Sequence, residues 1–541
     1  MISRLHHWID RNILELGREM RLSYLPPLMV YMAAGVSGLT GIVGSFFVKE
    51  HLGLSAEFLA ALAFWAGIPW ALKMPLGHLV DLIWRYKAIL VYIGASLIAA
   101  SLLIMVGLLS YTEPMSAVMS VEAWFVLSVL LAPVGYVVQD VVADAMTVEA
   151  VPRVDEHGQD IDPATLKLMH TTMQTLGRVA IIGGGIFVAL LNIYMFDGAH
   201  LLEEAEKIEV YSNIYELALI IPVISIIGVG LGSYLRIRDF RRLVHKGVER
   251  KKAWAMVHVQ EERPQPNWWI LGGSLVFVVF TLVVGLNGFT YSQEIIFVGS
   301  MAIVLFLMFR LVKVLDPNAQ RVLIGTAVII FIYRAIPGPG AGSTWWMMDE
   351  LQFDQQFFSV LALISSSLTL LGMFIFRRFM AEKSIAYIIV ALTIVSTFLS
   401  FPIIGMYYGL HEWTAAHTNG VVDARFIALV DTALESPLGQ IAMIPMLAWI
   451  ANSAPSHLKA TFFAVMASFT NLALSMSQLG TKYLNQWYTV TREVKDAQTG
   501  EVTVAADYSE LGMLLMTVTA IGLILPIVTV LIIRYSRLRS A

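Results

Sequence analysis

Two aspartates stand four residues apart inside an apolar run that begins near Trp124, in the segment Gly135-Tyr-Val-Val-Gln-Asp140-Val-Val-Ala-Asp144-Ala-Met-Thr-Val-Glu149. A carboxylate in hydrocarbon costs several kcal/mol, so one that is retained faces an aqueous cavity or a partner charge. At about 100° per residue Asp140 and Asp144 share one helical face with Tyr136, whereas Glu149 points nearly opposite Asp140. Other apolar runs hold the cations Lys73, Arg178 and Arg334 and the further acids Asp431 and Glu435. Thr171, Gln174 and Arg178 form one polar stripe, and Asn471, Ser475 and Gln478 form another. This chemistry suits a carrier of an organic anion. Lys73, Arg178 and Arg334, helped by Gln174 and Gln478, would hold the substrate, and Asp140 or Asp144 would carry a coupling proton. The alternative is that Arg178 and an aspartate neutralise one another and fasten two helices. Several charges on several spans exceed what bundle assembly needs, which favours transport.

The elements that must position these residues are membrane helices. Of 541 residues 57% are hydrophobic and 14% charged, against roughly 25% charged in soluble domains. Runs near the roughly 20 residues that a bilayer requires predict an all-α polytopic protein of about fourteen spans. They start near Ser23, Glu57, Tyr86, Val121, Leu168, Asn213, Trp268, Gln293, Arg321, Gln355, Ser384, Ala424, Lys459 and Tyr508. The grouping is six, two and six. It divides the chain into an N-terminal segment (1–22), a first bundle (23–235), a basic loop (236–267), two extra helices (268–315) and a second bundle (316–541).

The excess of Lys and Arg sets the orientation. With the N-terminus in the cytoplasm, the inside loops hold Arg85, Lys87, Arg377, Arg378, Lys383, Arg534, Arg537 and Arg539, and the loop from Arg236 holds eight more up to Lys252. The opposite loops hold mainly Lys49, Lys207, Arg425, Arg492 and Lys495. Both termini are therefore expected in the cytoplasm and the chain in the cell (inner) membrane, with the first apolar helix as insertion signal. Trp268, Trp269, Trp345, Trp346 and Trp487 fall at span ends, as an interfacial aromatic belt would require. There are no cysteines, which excludes disulfides and thiolate chemistry. The twelve histidines are scattered and form no metal-ligand spacing, so no cofactor or metal is expected.

Two resemblances sharpen this reading. The run Gly77-His-Leu-Val-Asp81-Leu-Ile-Trp-Arg85-Tyr-Lys87 resembles the G-x-L-x-D-x-x-G-R-K signature of the major facilitator superfamily, with Trp84 at the second glycine position. The resemblance implies a cytoplasmic gate built from Asp81 and Arg85, with Glu149 and Arg153 as partners. The segments Pro69-Trp-Ala-Leu-Lys73-Met-Pro75-Leu-Gly77, Gln139–Glu149, Ser436–Pro445 with Ala454-Pro455, and Leu458–Ala464 with Asn471-Leu resemble the folate–biopterin transporter family of that superfamily. Similarity to that family implies secondary active transport, coupled to protons, of a folate, a pterin or another organic anion, in contact with the lipid bilayer and with no nucleic-acid partner. The run Tyr333-Arg334-Ala-Ile-Pro337-Gly-Pro-Gly-Ala-Gly342-Ser-Thr-Trp345-Trp346 reads as a broken helix at membrane depth, tolerated where it lines a cavity. Two other classes stay open on the sequence: an assembly factor of carrier-like fold for pigment-protein complexes, and a polytopic membrane enzyme.

Overall fold

The computed structural model describes residues 15–71, 73–152, 161–257, 266–287, 289–313, 315–446, 459–495 and 502–540. The first bundle comprises α1 (Leu25–Val36), α2 (Gly41–His51), α3 (Ala56–Ala71), α4 (Lys73–Leu82), α5 (Ala88–Ser110), α6 (Val121–Ala150), α7 (Pro163–Met195), α8 (Glu204–Ala218) and α9 (Ile220–His245). The extra pair is α10 (Trp268–Leu286) and α11 (Ser292–Val312). The second bundle holds α12 (Pro317–Arg334), α13 (Ala341–Asp349), α14 (Gln355–Ile375), α15 (Ile385–Leu399), α16 (Phe401–Tyr407), α17 (Ala424–Glu435), α18 (Lys459–Trp487) and α19 (Leu511–Tyr535). A two-stranded hairpin, Val494–Lys495 with Val502–Val504, precedes α19.

Twelve helical stretches among the described residues are long and apolar enough to cross a bilayer. That is fewer than expected, and the shortfall has a physical cause. The helix near Arg321 breaks after Arg334 and resumes at Ala341, while α18 carries the polar stripe of Asn471, Ser475 and Gln478. The basic stretch after Arg236 is also less of a loop than expected. Helix α9 runs through it to His245, and a short helix covers Arg250–Val257.

Backbone contact sets the spacing of the first bundle. A Cβ on Gly94 of α5 would lie 2.6 Å from the Gly135 carbonyl oxygen of α6, and one on Gly135 would lie 2.6 Å from that of Gly94. Only glycine permits this approach. Gln139, one turn beyond Gly135, fixes the rotation of α6. Its amide donates to the Val91 carbonyl of α5 (3.3 Å) and accepts from Ser225 of α9 (2.9 Å). With Gln139 turned towards those helices, the next residue, Asp140, is turned away from them.

The halves meet along α3 against α18 and α7 against α14. Helix α11 lies over the first seam. Gln293 donates to the Ala61 carbonyl of α3 (3.1 Å), and Glu294 accepts from Lys482 (3.1 Å) and Tyr483 (2.5 Å) of α18. The aromatic belt is partly corrected: Trp268 and Trp487 are largely exposed, but Trp345 and Trp346 are buried in the second bundle. They belong to the resumed helix α13, whose flanks pack against Leu511, Leu514 and Phe353.

Candidate functional site

The bend in the second span places the first functional side chain. Pro75 has no N–H, so the Ala71 carbonyl loses its helical partner and α3 ends there. The neighbouring Trp70 carbonyl is satisfied by Asn471 of α18 at 3.0 Å. Lys73 thus sits at the first position of α4 and reaches α6. Its ammonium lies 2.5 Å from Asp140 Oδ2 and 2.8 Å from Asp144 Oδ2. Tyr31 of α1 donates to Asp144 Oδ1 at 2.6 Å. One cation therefore bridges both aspartates, and three helices, α1, α4 and α6, contribute to one polar cluster. The Asp144 side chain is 41% exposed and that of Asp140 18%, so Asp144 is the arm open to an incoming group.

Arg178, which the alternative reading paired with an aspartate, does not take that place. Its charge is felt at Asp140 and Tyr31, but it makes no hydrogen bond or ion pair among the described residues. Gln174 is exposed on the same side of α7 and donates to Thr147 of α6 at 3.2 Å. Tyr31 carried no signal in the sequence, because a tyrosine in an apolar span reads as packing.

Glu149 forms a separate cluster, as its opposite facing implied. It accepts from Lys87 at 2.5 Å and from Arg236 of α9 at 2.9 Å. Those two cations, read from the sequence as topology-setting charge, are its observed partners. The side chains of Asp81 and Arg85, and Arg153 as a whole, lie outside the described residues.

In the second bundle, the break between α12 and α13 is satisfied by α18. Ser477 donates to the Ile336 carbonyl (2.6 Å), Thr481 accepts from Gly338 N–H (2.9 Å), and Asn485 donates to the Pro339 carbonyl (3.2 Å). Gly340 has φ +78°, ψ −171°, a conformation closed to other residues. Arg334 ends α12 against the sulfurs of Met443 (3.6 Å) and Met446 (3.9 Å), with no acidic partner among the described residues. Gln478 on α18 is half-buried. Asp431 has one carboxylate oxygen buried without a partner among the described residues.

Two cavities meet at Ala362 of α14. One, about 450 Å³, is bounded by Ser365, Thr369, Thr432 and Glu435. The other, about 250 Å³, lies between the halves and is bounded by Gly38, Gly41, Phe46, Asn192, Thr344 and Phe358. Neither Lys73 nor Arg334 is among their lining residues.

The face away from the termini is closed. Lys49 pairs with Asp349 (2.5 Å), which also accepts from Tyr508 (2.5 Å). Gln486 donates to Glu57 (2.6 Å), Gln355 to Tyr211 (2.8 Å) and Gln356 to Asp197 (3.2 Å). Arg492, from the loop before α19, is 3% exposed; it donates to the carbonyls of Lys49 (2.8 Å) and Leu54 (2.9 Å) and lies over the Trp345 ring. Burial pulls the pKa of its guanidinium below the usual value, and Tyr508 opposes this.

Two helical bundles that close at one face around a charged interior are the architecture of the major facilitator fold. The fold agrees with solved transporters across nearly the whole chain. An auto-inhibited POT family peptide transporter aligns with TM-score 0.60 at 13% identity, covering 97% of this chain and 98% of that one. The nucleoside transporter NupG aligns with TM-score 0.53 at 13% identity, covering 94% and 99%. Residues 263–539 match the model of the BT1 family, and the chain belongs to that family. It is 24% identical over 480 residues to a folate-biopterin transporter of Synechocystis sp. (strain ATCC 27184 / PCC 6803 / Kazusa), covering 88% of this chain and 77% of the relative.

Proposed function

We propose that this transporter is a proton-coupled carrier of folate- or pterin-like organic anions that works by alternating access of its two bundles, with both termini in the cytoplasm of an inner-membrane protein. The observation that carries the reading is Lys73 held between Asp140 and Asp144, with Arg178 nearby and without an ion-pair partner among the described residues. Two cations and two carboxylates make a neutral set. A substrate carboxylate drawn to Arg178 and Lys73 adds one negative charge and competes with Asp144, the more exposed arm. A carboxylate stripped of its cation at membrane depth must regain one or take a proton. Proton uptake by Asp144 restores neutrality, which links one proton to each substrate carboxylate held. Arg334 supplies a second anion contact from the other bundle. Glu149, with Lys87 and Arg236, and the Asp81–Arg85 segment would gate the termini face. The closed face opposite supports rocking between the halves. The similarity to a folate-biopterin transporter supports the substrate class.

The test is uptake of labelled folate and pterins by proteoliposomes with and without an imposed proton gradient. Gradient-stimulated uptake with substrate-dependent proton flux is expected. Uptake indifferent to the gradient would remove the coupling, and no uptake of either class would remove the substrate assignment.

A further inference from the structure

The smaller cavity has a composition unlike the charged cluster below it. Its floor is backbone: a Cβ built on Gly38 or on Gly41 meets nothing within 4 Å. Its walls are Phe46 of the first bundle and Phe358 of the second, paired edge to face with ring centres 6.0 Å apart and planes at 74°. Asn192 of α7 bounds it while only 1% exposed. The Asn192 amide donates to the Leu39 carbonyl at 3.3 Å, but its oxygen has no partner among the described residues. A buried acceptor without a donor is a standing cost that a ligand N–H would relieve.

The cavity is also in line with the anion-binding groups. At about 100° per residue, Gln174, Arg178, Gly185 and Asn192 fall on one face of α7. Gly185 shows where that face points: a Cβ there would lie 3.1 Å from the Ser366 hydroxyl of α14 in the other bundle. Arg178 is about 20 Å from Asn192 along the helix at 1.5 Å per residue. The face therefore offers a small, aromatic-walled acceptor site at one end and, at the other, the Arg178 cation, which has no ion-pair partner among the described residues.

We infer that the cavity between Phe46, Phe358 and Asn192 is the ring subsite of the carrier, taking a flat nitrogen heterocycle that donates an N–H to the Asn192 oxygen. The carboxylate end of the same elongated ligand lies towards Arg178 and Lys73. This rests on the reading of the protein as a carrier of folate-like solutes, and it assigns the two ends of such a solute to separate places.

The experiment is displacement of labelled folate from the full-length protein in proteoliposomes by two fragments, pterin (ring alone) and p-aminobenzoylglutamate (tail alone). Two variants are compared. Asn192→Leu removes the acceptor. Gly41→Leu fills the cavity at a residue with φ −65°, which any side chain adopts. Both are expected to weaken pterin about tenfold or more and to leave p-aminobenzoylglutamate nearly unchanged. Retained tail binding shows that the variant is folded. Unchanged pterin affinity in both variants, or equal loss of both fragments in both, overturns the assignment while leaving the transport reading in place. A wild-type protein that binds neither folate nor pterin removes the transport reading and the subsite with it.

Discussion

Substitution of Lys73 by Gln is the sharpest test of the charge cluster. At an effective dielectric of about 20, an ammonium 2.5 Å from one carboxylate and 2.8 Å from another gains roughly 7 and 6 kcal/mol. Desolvation of three charged groups offsets most of this, and Asp144, 41% exposed, is screened and contributes less. Removal of one partner from such a pair costs about 3–5 kcal/mol, because the remaining charge is stranded. In Lys73→Gln two carboxylates share one face of α6 and lose their ion-pair partner, so both cannot stay charged at that cost. The expected result is a fall in initial uptake rate of about a hundredfold or more, from about 3 kcal/mol at 1.4 kcal/mol per decade. The unfolding midpoint of the purified protein should fall with it. Adding Asp140→Asn removes one stranded charge, so the double variant should be more stable than Lys73→Gln alone, with a coupling energy of about 1–3 kcal/mol. Stability should recover although uptake does not, which separates the structural role of the pair from the coupling role. Uptake by Lys73→Gln within about twofold of wild type, or strictly additive effects in the double variant, would refute the reasoning.

The other predictions concern separate parts of the molecule. Arg334→Gln should weaken folate binding about tenfold while sparing pterin, measured by displacement, since the change removes an anion contact. Asp349→Asn breaks a part-exposed pair, worth about 1 kcal/mol, and should raise the population open at the face away from the termini about fivefold. The chain has no cysteine, so a single cysteine at Gly38 labelled with a membrane-impermeant maleimide reads this directly; unchanged labelling would show that the Lys49 pair does not hold that face shut. Gly340→Ala forces a Cβ to 2.7 Å from the Asn485 amide at φ +78° and should lower the unfolding midpoint, with a cost of about 1–3 kcal/mol. Glu294→Gln removes the charge held by Lys482 and Tyr483 and should speed hydrogen exchange in the first turns of α11, leaving exchange in α6 unchanged.

Much of this protein was legible in its residues one span at a time. Apolar runs of bilayer length and a charge content well below that of soluble proteins show a polytopic all-α chain, because hydrocarbon admits only satisfied backbone. Helical periodicity places Asp140 with Asp144 and sets Glu149 apart, because it depends only on residues along one helix. The Gly-Pro run after Arg334 announces a broken helix for the same local reason. Span number was less secure, since a broken helix and a polar one fall short on length or apolarity.

Partnership between helices was decided only by the tertiary structure. The sequence offered Arg178 as the alternative partner of an aspartate and Lys73 as a substrate contact. The bend at Pro75 and the rotation of α6, set by Gln139 against α5 and α9, hand both aspartates to Lys73 and leave Arg178 without a partner among the described residues. Tyr31 enters the cluster, Arg236 leaves its expected loop to bind Glu149, and Trp345 and Trp346 leave the expected belt for the core. The reason is common to all of these. A sequence determines which residues share a face of a helix, but which face meets which neighbour depends on how all the helices pack, and that is settled by contacts far apart in the chain.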